Sequence, residues 1–165
     1  MGARGWLLGL AVLLCGCGYT SGYRLPAGVR EIAVPIFDNR TLPLRREIEF
    51  ELTREVRREL QIRTEASLVD RQKADAVIEG AILSFRQGVL AEGVGDSIQE
   101  TGIVVRIKIR LVRVRDGKVL LERVLSEHSS FSNIAGETIA EATREVMRDL
   151  AQRIVAEIEP WPAES

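Results

Sequence analysis

Few residues in this chain have types and spacing that could do chemistry. His128 is the sole histidine among 165 residues, and there are two cysteines, Cys15 and Cys17. Acid–base catalysis or an activated nucleophile needs several titratable groups converging on one point. One imidazole in a serine-rich stretch (Ser126, Ser129, Ser130) reads instead as a partly exposed strand residue. Glu47, Glu51, Glu55 and Glu59 recur every four residues among arginines, which is the pattern of a solvated helix face rather than of a catalytic carboxylate pair. No glycine loop leads into Lys-Ser or Lys-Thr to cradle a phosphate, and no pair of His or Cys stands at metal-ligand spacing. The sequence therefore predicts no catalytic residue, no metal and no cofactor. It does contain a row of cations, Arg106, Lys108 and Arg110, whose two-residue spacing puts them side by side on one strand face. Such a row is either a solvated face or an anion-binding one.

The chain that must position these groups carries 23 basic and 24 acidic residues, a formal net charge of -1, with 45% hydrophobic and 28% charged residues. That is the mixture of a folded globular domain, and it lacks the basic excess of a nucleic-acid binder. The N-terminus is different in kind. After Arg4, the ten residues Gly5 to Leu14 are apolar or glycine with no acid, the pattern of a secretory signal over residues 1–16. The run is short of the roughly 20 residues a permanent helical span requires. It ends in Leu14-Cys15-Gly16-Cys17, which resembles a bacterial lipobox. The resemblance implies cleavage before Cys17 and acylation of that residue; Cys15 does not fit, because Leu14 would stand where a small residue is needed. Three acyl chains, at about 0.8 kcal/mol per buried methylene, would hold the protein on a bilayer. Residues 17–28 then form a short tether, 29–160 one domain and 161–165 a tail.

Glu31 to Phe37 alternates like a strand, with Pro35 marking an edge or irregularity and Asp38-Asn39 a turn. From Arg45 to Ile62 the residues Ile48, Leu52, Val56 and Leu60 predict an amphipathic helix. Phe50 lies about 200° around that helix from Ile48, outside its apolar stripe, and is either a partner contact or a singly exposed aromatic. Three long strands follow over 76–90, 101–115 and 118–131; Asp116-Gly117 is a hairpin turn and Leu111 the point where a bulge breaks the alternation. Gly136 to Ile158 returns to helical spacing. This order predicts an α+β fold: a two-layer sandwich with a four-stranded, mostly antiparallel sheet and two amphipathic helices on one face.

Two family resemblances arise. Gly95-Asp96-Ser97-Ile98 is similar to the nucleophile block of GDSL-type esterases, but it sits mid-chain between strands, and Leu125 stands where the Asp preceding the catalytic His would be. A Gly-Asp turn accounts for it. The block Ile32-Ala33-Val34-Pro35-Ile36-Phe37-Asp38-Asn39-Arg40-Thr41, followed by the helix opening Glu47-Ile48-Glu49-Phe50-Glu51-Leu52-Thr53, resembles the LPS-assembly lipoprotein family, LptE. Pro43-Leu44-Arg45 departs from the Pro-Gly often seen there.

The LptE resemblance implies a non-enzymatic outer-membrane lipoprotein that plugs the LptD β-barrel, assists its assembly and aids delivery of lipopolysaccharide to the outer leaflet. On that reading Gly18 after the lipidated cysteine favours the outer membrane, facing the periplasm, and Arg106, Lys108 and Arg110 meet lipid A phosphates. The alternative is an auxiliary lipoprotein subunit of a phospholipid or solvent transport system. Intact-mass measurement of the native product is expected to show an acylated Cys17 as its first residue. A free thiol there, or a soluble secreted form, would contradict the lipobox reading.

Overall fold

The computed structural model describes residues 23–92, 98–132, 136 and 138–159. The signal, Cys17, residues Gly95 to Ser97 of the Gly-Asp-Ser block and the tail 161–165 lie outside them. The elements in order are β1 (Glu31–Ala33), β2 (Asp38–Asn39), α1 (Ile48–Arg63), β3 (Ser67–Leu68), β4 (Ala76–Glu92), β5 (Ile98–Arg113), β6 (Val119–Ser132) and α2 (Ile139–Ile158).

The fold class is α+β, as expected, but the sheet has six strands rather than four. Its order is β3-β1-β4-β5-β6, with β2 also paired to β4. It is a mixed sheet. β4, β5 and β6 form a long antiparallel ladder, whereas β1 pairs parallel with both β3 and β4, and β2 parallel with β4. Parallel pairing follows from α1, a crossover that carries the chain back before the next strand begins. The single strand expected over 31–37 stops at Ala33, because Pro35 has no N–H to donate and the backbone swings out before rejoining β4. Asp38-Asn39, expected as a turn, is itself the strand β2.

The swing is fixed at several points. The Phe37 N–H donates to Thr53 Oγ1 (3.0 Å), and the Arg57 guanidinium donates to the Val34 carbonyl (2.6 and 3.0 Å). The Phe37 ring then lies over Gly80 on β4, where an added Cβ would come within 2.5 Å of the ring. Gly80 is needed for this close approach, not for an unusual φ. The Asp75 carboxylate accepts from the Arg30 and Glu31 N–H groups (2.9 and 3.0 Å), pinning β1 to the start of β4; these backbone bonds, that from Glu31 first, hold its pKa below the ordinary value.

Helix α1 begins at Ile48, three residues later than the sequence predicts, because Thr41 Oγ1 accepts from the Arg45 N–H (2.9 Å) and holds that segment outside the helix. Helix α2 opens with a capping box between Thr138 and Glu141. Ile48, Leu52, Val56 and Leu60 of α1 and Val146, Met147, Leu150 and Ile154 of α2 enter one core with Ile103, Val105, Ile107, Ile109 and Leu111 of β5. Both helices therefore claim the same face of the sheet. The expected bulge is present as a register shift between Leu111 and Val112 against β6. A second shift, between Ile82 and Ser84 against β5, carries no comparable break in the sequence pattern.

Gly80→Ala forces a methyl group against the Phe37 ring and is expected to cost about 1–3 kcal/mol of unfolding free energy, measured as a lower urea midpoint. Phe37→Leu in the same chain should recover part of it. An unchanged midpoint for Gly80→Ala would show that the ring does not seat on β4.

Candidate functional site

The side chains that alternate with the β5 core residues project from the helix-free face. Cross-strand register places them in rows: Glu79, Arg110 and Glu122; Ala81, Lys108 and Val124; Ser84, Arg106 and Ser126; Arg86, Val104 and His128. Arg106, Lys108 and Arg110 are brought together on this face, and His128 lies on it too, exposed.

Their electrostatic situations differ. Lys108 Nζ lies 2.9 Å from Glu122, and Arg110 is shared between Glu122 (3.3 Å) and Glu79 (3.6 Å). The bond from Lys108 first, with the charge of both cations, holds the Glu122 carboxyl below its ordinary pKa. Arg110 Nε is buried and makes no hydrogen bond despite facing Glu122. Among the described residues no carboxylate stands within ion-pair distance of Arg106 or of its cross-strand neighbour one row on, Arg86. The free positive charge of the face is thus concentrated at Arg86 and Arg106, not spread evenly along β5.

Sequence reasoning did not find the recess beside these residues. Pro35 and Ile36 overhang Ala81, which is only 8% exposed although it points to the helix-free side, and leave a recess of about 460 Å³. Arg40, Arg71, Lys108 and Arg110 surround it, with Arg40 paired to Asp38 and Arg71 to Glu79, both at 2.9 Å. Arg40 and Arg71 come from loops that reach the face only through the short parallel strands, so strand periodicity held no signal for them.

The Val-Pro-x-Phe-x-Asn-x-Thr block has a structural meaning in the fold. Asn39 Nδ2 donates to the Arg45 carbonyl (2.5 Å) and to Glu49 (2.7 Å), while its Oδ1 accepts from the Thr41 N–H (3.2 Å) and hydroxyl (2.8 Å). These bonds close the segment between β2 and α1. Phe50 is 55% exposed, on the side of α1 away from the sheet, and shares a shallow groove with Ile36, Thr53, Arg54 and Arg57. Leu42 and Leu44 are also exposed, at 92% and 60%, on the loop leading to α1. Among the described residues no group of three or more His, Cys, Asp or Glu is arranged to hold a metal ion, and no helix is long and apolar enough to cross a membrane.

Among solved structures this architecture defines a class of small α+β sandwiches that includes several bacterial lipoproteins. The PelC dodecamer from Paraburkholderia phytofirmans is similar at 14% identity over 85% of this chain and 94% of that one, with a TM-score of 0.58. An uncharacterized lipoprotein B from Nitrosomonas europaea (16% identity, 84% and 90% covered, TM-score 0.54) and a minor lipoprotein from Acinetobacter baumannii (16%, 81% and 93%, 0.53) share the fold. No curated protein matches the chain by sequence. A family model described as LptE, lipopolysaccharide-assembly, matches residues 29–158, and the chain belongs to that family. Membership points to the function of a lipopolysaccharide-assembly lipoprotein.

Proposed function

We propose that this chain is a non-enzymatic lipoprotein of the outer membrane, cut before Cys17 and held there by acyl chains, facing the periplasm. It docks in an LptD-type β-barrel, assists assembly of that barrel and helps pass lipopolysaccharide to the outer leaflet. The observation that carries this reading is the helix-free sheet face: three long strands wide, rigidly backed by the core, and bearing cations that the fold does not fully neutralise. A braced face of this kind suits packing inside a barrel wall. Phe50 on α1 is a second contact for the barrel, with Ile36 beside it at the sheet edge. The transport-subunit alternative draws no support from the family match.

Lipid A phosphates meet this face at Arg106 first, since Lys108 and Arg110 must share themselves with Glu79 and Glu122. Charge-assisted bonds to a partly desolvated phosphate contribute roughly 1.5–3 kcal/mol each. Arg106→Glu is therefore expected to weaken lipopolysaccharide capture by about tenfold or more, with a native circular dichroism spectrum and a larger loss than Lys108→Glu. Unchanged capture by Arg106→Glu, or a larger loss from Lys108→Glu, would contradict this placement.

A further inference from the structure

Resting on that reading of barrel docking, we propose that the recess beside Pro35 and Ile36 receives a tyrosine side chain that points into the barrel lumen, an anchor separate from the phosphate contact at Arg106. A recess on the face that docks is where an interface concentrates its binding energy, provided that it has an apolar floor and a rim that keeps water out.

The floor is apolar and unclaimed. Two residues of β4 on the helix-free side are apolar and nearly inaccessible, Val77 at 1% and Ala81 at 8%. Val77 is sealed by Ala33, Ala74 and Val69, which form a small apolar cluster of their own with it. Ala81 joins neither that cluster nor the main core. Pro35 and Ile36 stand beside it as one apolar wall, and Ile36 keeps 54% of its surface exposed. Among the described residues, no side chain fills the roughly 460 Å³ between them.

The charge of the rim decides what enters. Arg40 lies 2.9 Å from Asp38, Arg71 2.9 Å from Glu79 and Lys108 2.9 Å from Glu122, so each of these cations already has a carboxylate in contact. An entering anion would have to displace them, and would meet Asp38 and Glu79 at the same rim. Arg110 is held more loosely, at 3.3 Å from Glu122 and 3.6 Å from Glu79, with no hydrogen bond at its Nε. The occupant that fits is therefore neutral, mostly apolar, and carries one oxygen that can accept from the Arg110 guanidinium. A phenol meets all three requirements. Its ring covers Ala81, packs on Pro35 and Ile36, and offers a face to the planar guanidinium of Arg71, which stacks on aromatic rings. Phenylalanine would bring no acceptor, and a carboxylate would bring the wrong charge. Tyrosine is among the residues enriched at interface anchors, and its polar tip suits the polar interior of a barrel.

The test uses the full-length chain in living cells, with a photoreactive residue in place of Arg40, whose side chain is 64% exposed at the recess. An adduct to the β-barrel is expected, mapping to a peptide with a lumen-facing tyrosine. Ala81→Leu, which fills the recess from its floor, should lower that adduct several-fold while the urea midpoint stays native. Arg71→Ser, at a 61% exposed side chain, should lower it as well and serves should the leucine variant fold poorly. Replacing the mapped tyrosine by alanine should match the loss, and by phenylalanine should restore only part. A photoreactive residue at Val104 reports on docking itself. Barrel adducts from Val104 but none from position 40, adducts from position 40 indifferent to both variants, adducts there to lipopolysaccharide alone, or a mapped peptide without tyrosine would overturn the recess proposal and leave docking standing. Loss of barrel adducts from both positions would overturn the two together.

Discussion

Two amphipathic helices and one sheet share a single apolar face, and the rest of the molecule is arranged by that constraint. The five β5 residues from Ile103 to Leu111 that point toward the helices are at most 1% exposed. Each is followed or preceded by a residue pointing the other way, so burying one face commits Val104, Arg106, Lys108 and Arg110 to the other. A one-residue slip would bury three cations and expose five aliphatic side chains, which is why register here is so strongly determined. The charged face is thus a direct consequence of how the core is built.

Keeping that face open at one end and bounded at the other depends on the segment from Val34 to Thr41. Phe37 takes the core side of the sheet over Gly80, while Pro35 and Ile36 take the helix-free side over Ala81. The same segment is locked to α1 through Asn39, Thr53 and Arg57. It therefore ties helix, sheet edge and recess together, and its residue types are explained by packing and hydrogen bonds alone. The block whose residues resemble the LptE family is thus a structural joint, while the side chains with uncommitted charge lie elsewhere, on β4 and β5.

Much of this was legible in the sequence. The two helices and the three long strands came through because each repeats its period over many residues, and the loss of alternation after Leu111 correctly signalled a bulge. The strand count did not, since β1, β2 and β3 are three, two and two residues long and exist only through parallel pairing with distant partners. Asn39 looked like a turn residue, and it does bond locally through its side chain, but its backbone runs alongside Ile82. The row Arg106, Lys108 and Arg110 was visible as a spacing. That Glu79 and Glu122 neutralise two of its members was not, because the partners are fixed by cross-strand register.

The account rests on the helix-free face being the working surface. Site-specific photo-crosslinking in living cells tests it most directly, with the photoreactive residue placed at exposed Val104 on that face or at exposed Arg148 on α2. Adducts to a large outer-membrane β-barrel or to lipopolysaccharide are expected from Val104 and far fewer from Arg148. Abundant adducts from Arg148 with none from Val104 would contradict it.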